Sequence, residues 1–238
     1  RRRPALAARG RGVRGAAPMS SRRRHARTLW LLLGASPLGC SVGQGSGYVR
    51  GDRVVAAGCW DGPIDLKPDF FAGTPFANTL TIRVQRGEQE ISVSDGITLL
   101  INDVRGIRFN RLNMDLPIGL PVGVSPVGFP LPEVPDPPAA SLSLFLNSSC
   151  RGANAQLTAF DGSVNFEKLF SGDPNEENSD DRVTIGTLQA FLVDPNDAVA
   201  RDPGEDGPAY EYPPDKVSVI EAGFNFVFHR GIPAQPFP

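Results

Sequence analysis

The feature that most constrains this chain is a two-residue alternation of apolar and polar side chains, repeated in short runs along its second half and centre. Leu80, Ile82 and Val84 alternate with Thr79, Thr81, Arg83 and Gln85. Successive side chains of an extended strand point to opposite faces, so this spacing predicts half-buried strands rather than helices. Ile91 with Val93, residues 141–146 (SLSLFL), Leu157 with Ala159, and Val164 with Phe166 repeat it. So do Val183 with Ile185, then Leu188, Ala190 and Leu192, and finally Ala222, Phe224, Phe226 and Phe228. The chain carries 26 Gly and 23 Pro among 238 residues, which favours short strands punctuated by turns. Asp95-Gly96 and Asp161-Gly162 separate apolar runs and read as hairpin turns. The parity of the apolar positions slips near Gly186 and again near Ile220-Glu221, which predicts a β-bulge at each. Residues 104–110 extend the meander through Ile107 and Phe109, and a short helical turn fits only at 68–71 or 167–170.

The expected fold is therefore all-β: an antiparallel β-sandwich of about eight or nine strands, with a small closed β-barrel as the alternative. Residues 117–138 hold eight prolines. Proline removes ladder donors, so this segment reads as a Pro-rich crossover loop, laid on the domain by Ile118, Leu120, Val122 and Phe129. The expected organisation is a leader at 1–18, an export signal at 19–39, a tether at 40–52, one domain at 53–231 and a tail at 232–238.

Charge is segregated. Ten of the 24 basic residues precede Cys40, where there is no Asp or Glu. From Cys40 onward, 14 basic residues face 26 acidic ones, a formal charge of −12. Such a domain repels phosphate backbones, which argues against nucleic acid as a partner. The basic end has the form of an address. Arg22, Arg23, Arg24 and Arg27 come first, an apolar run at 29–33 follows, and then small residues lead to Cys40. These are the three regions of a secretory signal, and the apolar run is too short to span a bilayer. Residues 1–18, rich in Arg, Ala, Gly and Pro, read as an upstream extension ahead of Met19. Residues 41–52 (SVGQGSGYVRGD) read as a flexible tether.

Pro37-Leu38-Gly39-Cys40 resembles the lipobox of bacterial lipoproteins, with Pro37 where that family commonly has Leu. The resemblance covers residues 19–52. It implies cleavage before Cys40, acylation of Cys40, and a membrane contact made through lipid. With Ser41 after the cysteine, it implies sorting to the outer membrane of a bacterial envelope. It implies no activity.

Cys59 and Cys150 remain, an even pair in a chain read as exported. A disulfide closing a loop of roughly 90 residues is the expectation. The alternative is two buried thiols.

Chemistry is sparse. Only His229 lies beyond Cys40, at the end of a Phe-rich strand, and no GxSxG, HExxH, P-loop or GxGxxG occurs. No catalytic residue is assigned and no cofactor is expected. The oxygen-rich run 173–181 offers Asp173, Asn175, Glu177, Asp180 and Asp181 as a calcium candidate, without EF-hand spacing. Trp60, Tyr210 and Tyr212 stand in loop-like contexts, as packing residues or as platforms for a sugar. The expected function is a non-catalytic, envelope-anchored protein whose domain binds an envelope protein or glycan, or serves a structural role. Two alternatives stand: a calcium-stabilised adhesion or glycan-binding module, and a secreted hydrolase with an unfamiliar site.

Overall fold

The alternating runs become strands of one antiparallel sheet. The computed structural model describes residues 40–87, 90–121, 137–153, 155–173, 175–201 and 210–234, with side chains from 43 to 229. The leader, the signal segment, residues 122–136 of the proline-rich loop and residues 235–238 lie outside them. The strands are β1 (Cys40–Ala56), β2 (Trp60–Leu66), β3 (Phe70–Phe76), β4 (Thr79–Arg86) and β5 (Asp95–Ile101). Helix α1 (Val104–Asn110) and β6 (Asp115–Pro117) follow, then β7 (Ala140–Leu146), β8 (Gln156–Lys168) and β9 (Val183–Val193). Last come β10 (Val199–Ala200), β11 (Tyr210–Glu211) and β12 (Ser218–Ala234).

Neighbours in the main sheet follow chain order: β1, β3, β4, β5, β7, β8, β9, β12, and back to β1. The return is made by β1 itself. One of its edges pairs β12 from Gly43↔Phe228 to Arg50↔Glu221. Its other edge pairs β3 at Ser41↔Gly73 and then β2 from Val49↔Leu66 to Ala56↔Trp60. The sheet thus closes on itself as a barrel, so the sandwich expected from strand spacing is corrected to the small-barrel alternative. A long first strand that joins both ends of a meander removes the open edges a sandwich would leave. β6 takes over the edge of β8 beyond β7, and β10–β11 is a separate pair.

Inward-facing residues fill the barrel. Leu80, Ile82 and Val84 meet Ile97, Leu99 and Ile101 across β4–β5, and all six are buried. Phe71, Phe166, Phe170, Phe224, Phe226 and Phe228 form a chain of ring contacts, with Phe71–Phe226 at 5.0 Å and Phe170–Phe228 at 4.4 Å. Eight strands leave an interior just wide enough for such side chains.

Several local expectations are corrected. Residues 41–52 are not a tether but the greater part of β1. The glycines there serve close approach: a Cβ on Gly43 would lie 2.9 Å from Phe226 Cδ2, and one on Gly47 2.7 Å from the Gly223 carbonyl. Residues 104–110 are helix, not strand. Asp95-Gly96 opens β5 rather than turning a hairpin, because the Asp95 carboxylate is buried and accepts from Ser148 N (2.9 Å), Ser149 N (3.0 Å) and Ser149 Oγ (2.7 Å). Asp161-Gly162 lies inside β8, where Gly162 has φ 146° and the ladder to β9 shifts register between Ala159 and Asp161. A bulge therefore replaces the second hairpin.

The bulge expected near Ile220 is absent, since β9 and β12 pair without interruption from Ser218↔Leu192 to Val227↔Val183. Near Gly186 the β8–β9 ladder does shift register, between Phe166 and Lys168 opposite Gly186 and Ile185, with the extra residue on β8. Even positions face inward along β9 and β12, and the apparent slips arise because Val183, Ile185 and Val219 lie on the outer face while Val217 precedes β12. Phe70 and Phe71 start β3, and Glu167 and Lys168 end β8, so neither suggested helical turn forms.

Candidate functional site

The antiparallel registers sort the connections between two ends of the barrel. At one end lie Cys40, the β3–β4 turn, α1, the β8–β9 loop and the last residues of β12. At the other lie the β1–β2, β4–β5 and β7–β8 connections.

Helix α1 caps the Cys40 end. Asp103 stands at its N-cap with φ 54°, and its carboxylate accepts from Gly106 N at 3.1 Å. A capping oxygen satisfies one of the amide donors that the first helical turn leaves open. Asn78, in the β3–β4 turn, locks the helix in place. Its carbonyl accepts from Val104 N (2.9 Å), its Oδ1 from Arg105 N (3.0 Å), and its Nδ2 donates to Asp103 Oδ1 (2.9 Å). The Asn78 amide, then the Gly106 amide and Arg111, hold the Asp103 carboxyl below the usual carboxylate range. Val104 and Ile107 are buried. The three-residue step between them places both on the barrel side of the helix, which leaves Arg105 and Phe109 facing out. A groove of about 240 Å³ runs between Pro75, Val104, Phe109 and Gly172.

The calcium candidate lies on the β8–β9 loop at this same end, and its groups are engaged with other protein atoms. Asp181 pairs with Arg108 and accepts from Asn178 Nδ2 at 2.8 Å. Asp180 faces Lys168 Nζ at 3.4 Å. Asp173 accepts from the backbone N–H of Asn175 at 2.8 Å. Among the described residues, no group of three or more His, Cys, Asp or Glu side chains is gathered as a metal site, and Asp173, Glu177, Asp180 and Asp181 are not brought to one point.

Cys59 and Cys150 are bonded to each other, with Cα atoms 5.6 Å apart. The bond ties the β1–β2 turn to the β7–β8 turn at the end away from Cys40. Trp60 packs beside it and donates Nε1–H to the Gly62 carbonyl at 3.2 Å. Tyr210 and Tyr212 are elsewhere, on the outer wall, where Tyr212 meets Phe160 in a tilted contact (4.9 Å) and Tyr210 meets Tyr212 edge-on (5.7 Å). Burial pushes the Tyr212 phenol up to about 12. Trp60 and the two tyrosines thus do not form one platform. His229 is half-buried near the end of β12.

No family model, no curated protein and no solved structure matches this chain. No helix among the described residues is long and apolar enough to cross a membrane.

The Cys40 end carries a feature that sequence reasoning missed. Phe76, Phe109 and Met114 are exposed there, at 65%, 76% and 51%. Two-residue alternation with Ile107 points to a strand for Phe109, whereas it lies on α1. The signal that finds the helix is Asp103 as a capping residue followed by Val104 and Ile107 at helical spacing.

Proposed function

We propose that this chain is an exported bacterial envelope protein, held to a membrane by acyl chains on Cys40. It displays a disulfide-closed β-barrel whose role is binding or structural. The observation that carries the reading is the order of features on one short stretch. A basic, then apolar, then small-residue signal ends at Cys40, and the folded barrel begins at that same residue. The Cys59–Cys150 bond supports it, because such bonds persist in oxidising compartments outside the cytosol. The packed interior directs attention to the outer surface and the two ends as the places where a partner would bind.

The test is metabolic labelling with a fatty-acid analogue in a bacterial host, joined to cell fractionation. The expected result is label in the membrane fraction for the full chain and none for Cys40→Ser. A full-length, unlabelled chain in the cytosol would overturn the proposal. A specific turnover of an ester, glycan or peptide by the purified protein would overturn the non-catalytic part alone.

A further inference from the structure

We infer that the end of the barrel carrying Cys40 is a lipid-contacting face, on which Phe76 and Phe109 enter the interfacial layer of the bilayer that holds the acyl anchor. The inference rests on the acylation of Cys40 proposed above and adds what that proposal leaves open, namely how the barrel sits on its membrane.

Three observations carry it. First, no free linker separates the anchor from the fold. β1 begins at Cys40, which pairs with Ala234, and Ser41 is already opposite Gly73 in β3. An acyl chain on residue 40 therefore holds the barrel end itself at the bilayer surface. Second, the chain direction puts the exposed aromatics on the membrane side of that anchor point. β3 runs antiparallel to β1, so the level of Cys40 on β3 is Thr74, and Phe76 lies two residues further out, roughly 7 Å along the strand. The β3–β4 turn carries α1 through Asn78, and α1 presents Phe109. Third, the exposure is concentrated. Phe76 and Phe109 are the two most exposed large apolar side chains among the described residues, and both are at this end. Exposed Phe side chains on a surface held at a bilayer gain by burying their apolar area at the headgroup–acyl boundary.

Charge at this end does not select anionic lipid. Arg105 is exposed one helical turn before Phe109, but Arg108, Arg111 and Lys168 are paired with Asp181, Asp103 and Asp180, and the loop carries Asp173 and Glu176 as well. Contact is therefore apolar, and a zwitterionic bilayer suffices.

The full, acylated chain reconstituted into phosphatidylcholine vesicles containing acyl-brominated lipid tests this. Phe76→Trp, Phe109→Trp and, at the opposite end, Val93→Trp are compared with the unsubstituted protein. All three positions are exposed, so the indole replaces a side chain that packs little, and circular dichroism checks that the barrel is intact. The expected result is blue-shifted, bromine-quenched emission added at 76 and 109, and only unquenched emission added at 93. The mass of the amino-terminal peptide reports the acyl group in the same samples. An acylated Cys40 with no added quenching at 76 and 109 overturns the inference and leaves the anchor standing. An unacylated Cys40 overturns the anchor, and the inference with it. Equal quenching at all three positions overturns the orientation.

Discussion

Asp95 shows how one side chain can be misread from its neighbours. Followed by Gly96, it has the look of a turn residue. Its carboxylate is instead buried, and three donors from Ser148 and Ser149 converge on it, so it fastens the β7–β8 turn to the start of β5. Hydrogen bonds to a charged acceptor are worth more than neutral ones, and donors orphaned in a buried place are costly. Asp95→Ala is expected to lower the unfolding free energy by about 2–3 kcal/mol, against about 1 kcal/mol for Ser149→Ala. Urea unfolding reads both as a lower midpoint at unchanged slope.

Tyr212 belongs to the same scale. Its phenol is held neutral up to about 12, while in the unfolded chain it ionises near its ordinary 10.0. A group whose folded state keeps a proton that the unfolded state gives up contributes stability in full below the unfolded value and loses it as pH rises. Stability should therefore fall as pH climbs from 10 to about 12, and Tyr212→Phe should flatten that part of the fall. Urea midpoints measured across the window decide it.

Among the elements, α1 is the one that alternation concealed. Ile107 and Phe109 share a parity, so they pass for one face of a strand, yet one is buried and the other three-quarters exposed. Asp103 settles the matter physically, because a short helix of seven residues depends on its cap and on packing more than on propensity. Asp103→Ala is expected to cost about 1 kcal/mol and to raise amide exchange in 104–110 before the strands respond, whereas Asp103→Asn keeps most of the cap. The strands themselves were legible where apolar and polar residue types alternate, as in β4 and β7, although the polar Arg83, Gln85 and Ser141 there are themselves buried. They were misjudged where glycine carried the packing. In β1 the small residues looked like slack, and in β8 Gly162 looked like a reversal, because a composition rule does not register that an opposite strand needs the space. The candidate calcium residues show the same limit: a run of carboxylates is visible in one dimension, but Arg108 and Lys168, which face two of them, come from other elements.

For the whole molecule, the all-β class and the pairing of Cys59 with Cys150 could be read from residue types alone. Closure into a barrel could not, since the long-range match of β1 to β12 leaves no mark on either strand's alternation. The disulfide spans 91 residues of sequence and links the fold's first turn to the turn after β7. Reducing it, or replacing Cys59 and Cys150 with Ser, is expected to remove about 4–5 kcal/mol in the chain-entropy account, seen as a lower denaturant midpoint with the folded spectrum retained.

The seam between the first and last strands has a further consequence. Arg50 and Glu221 face each other across it, 171 positions apart in the sequence. A ribosome releases one half of that seam 171 positions ahead of the other, so the nascent meander remains an unzipped ribbon until the last strand emerges. A frameshift or protease nick just ahead of Ser218 would accordingly give no smaller version of this molecule. It would strip Phe224, Phe226 and Phe228 from the stack and bare both flanks at once, leaving a product fit for degradation rather than for partial service.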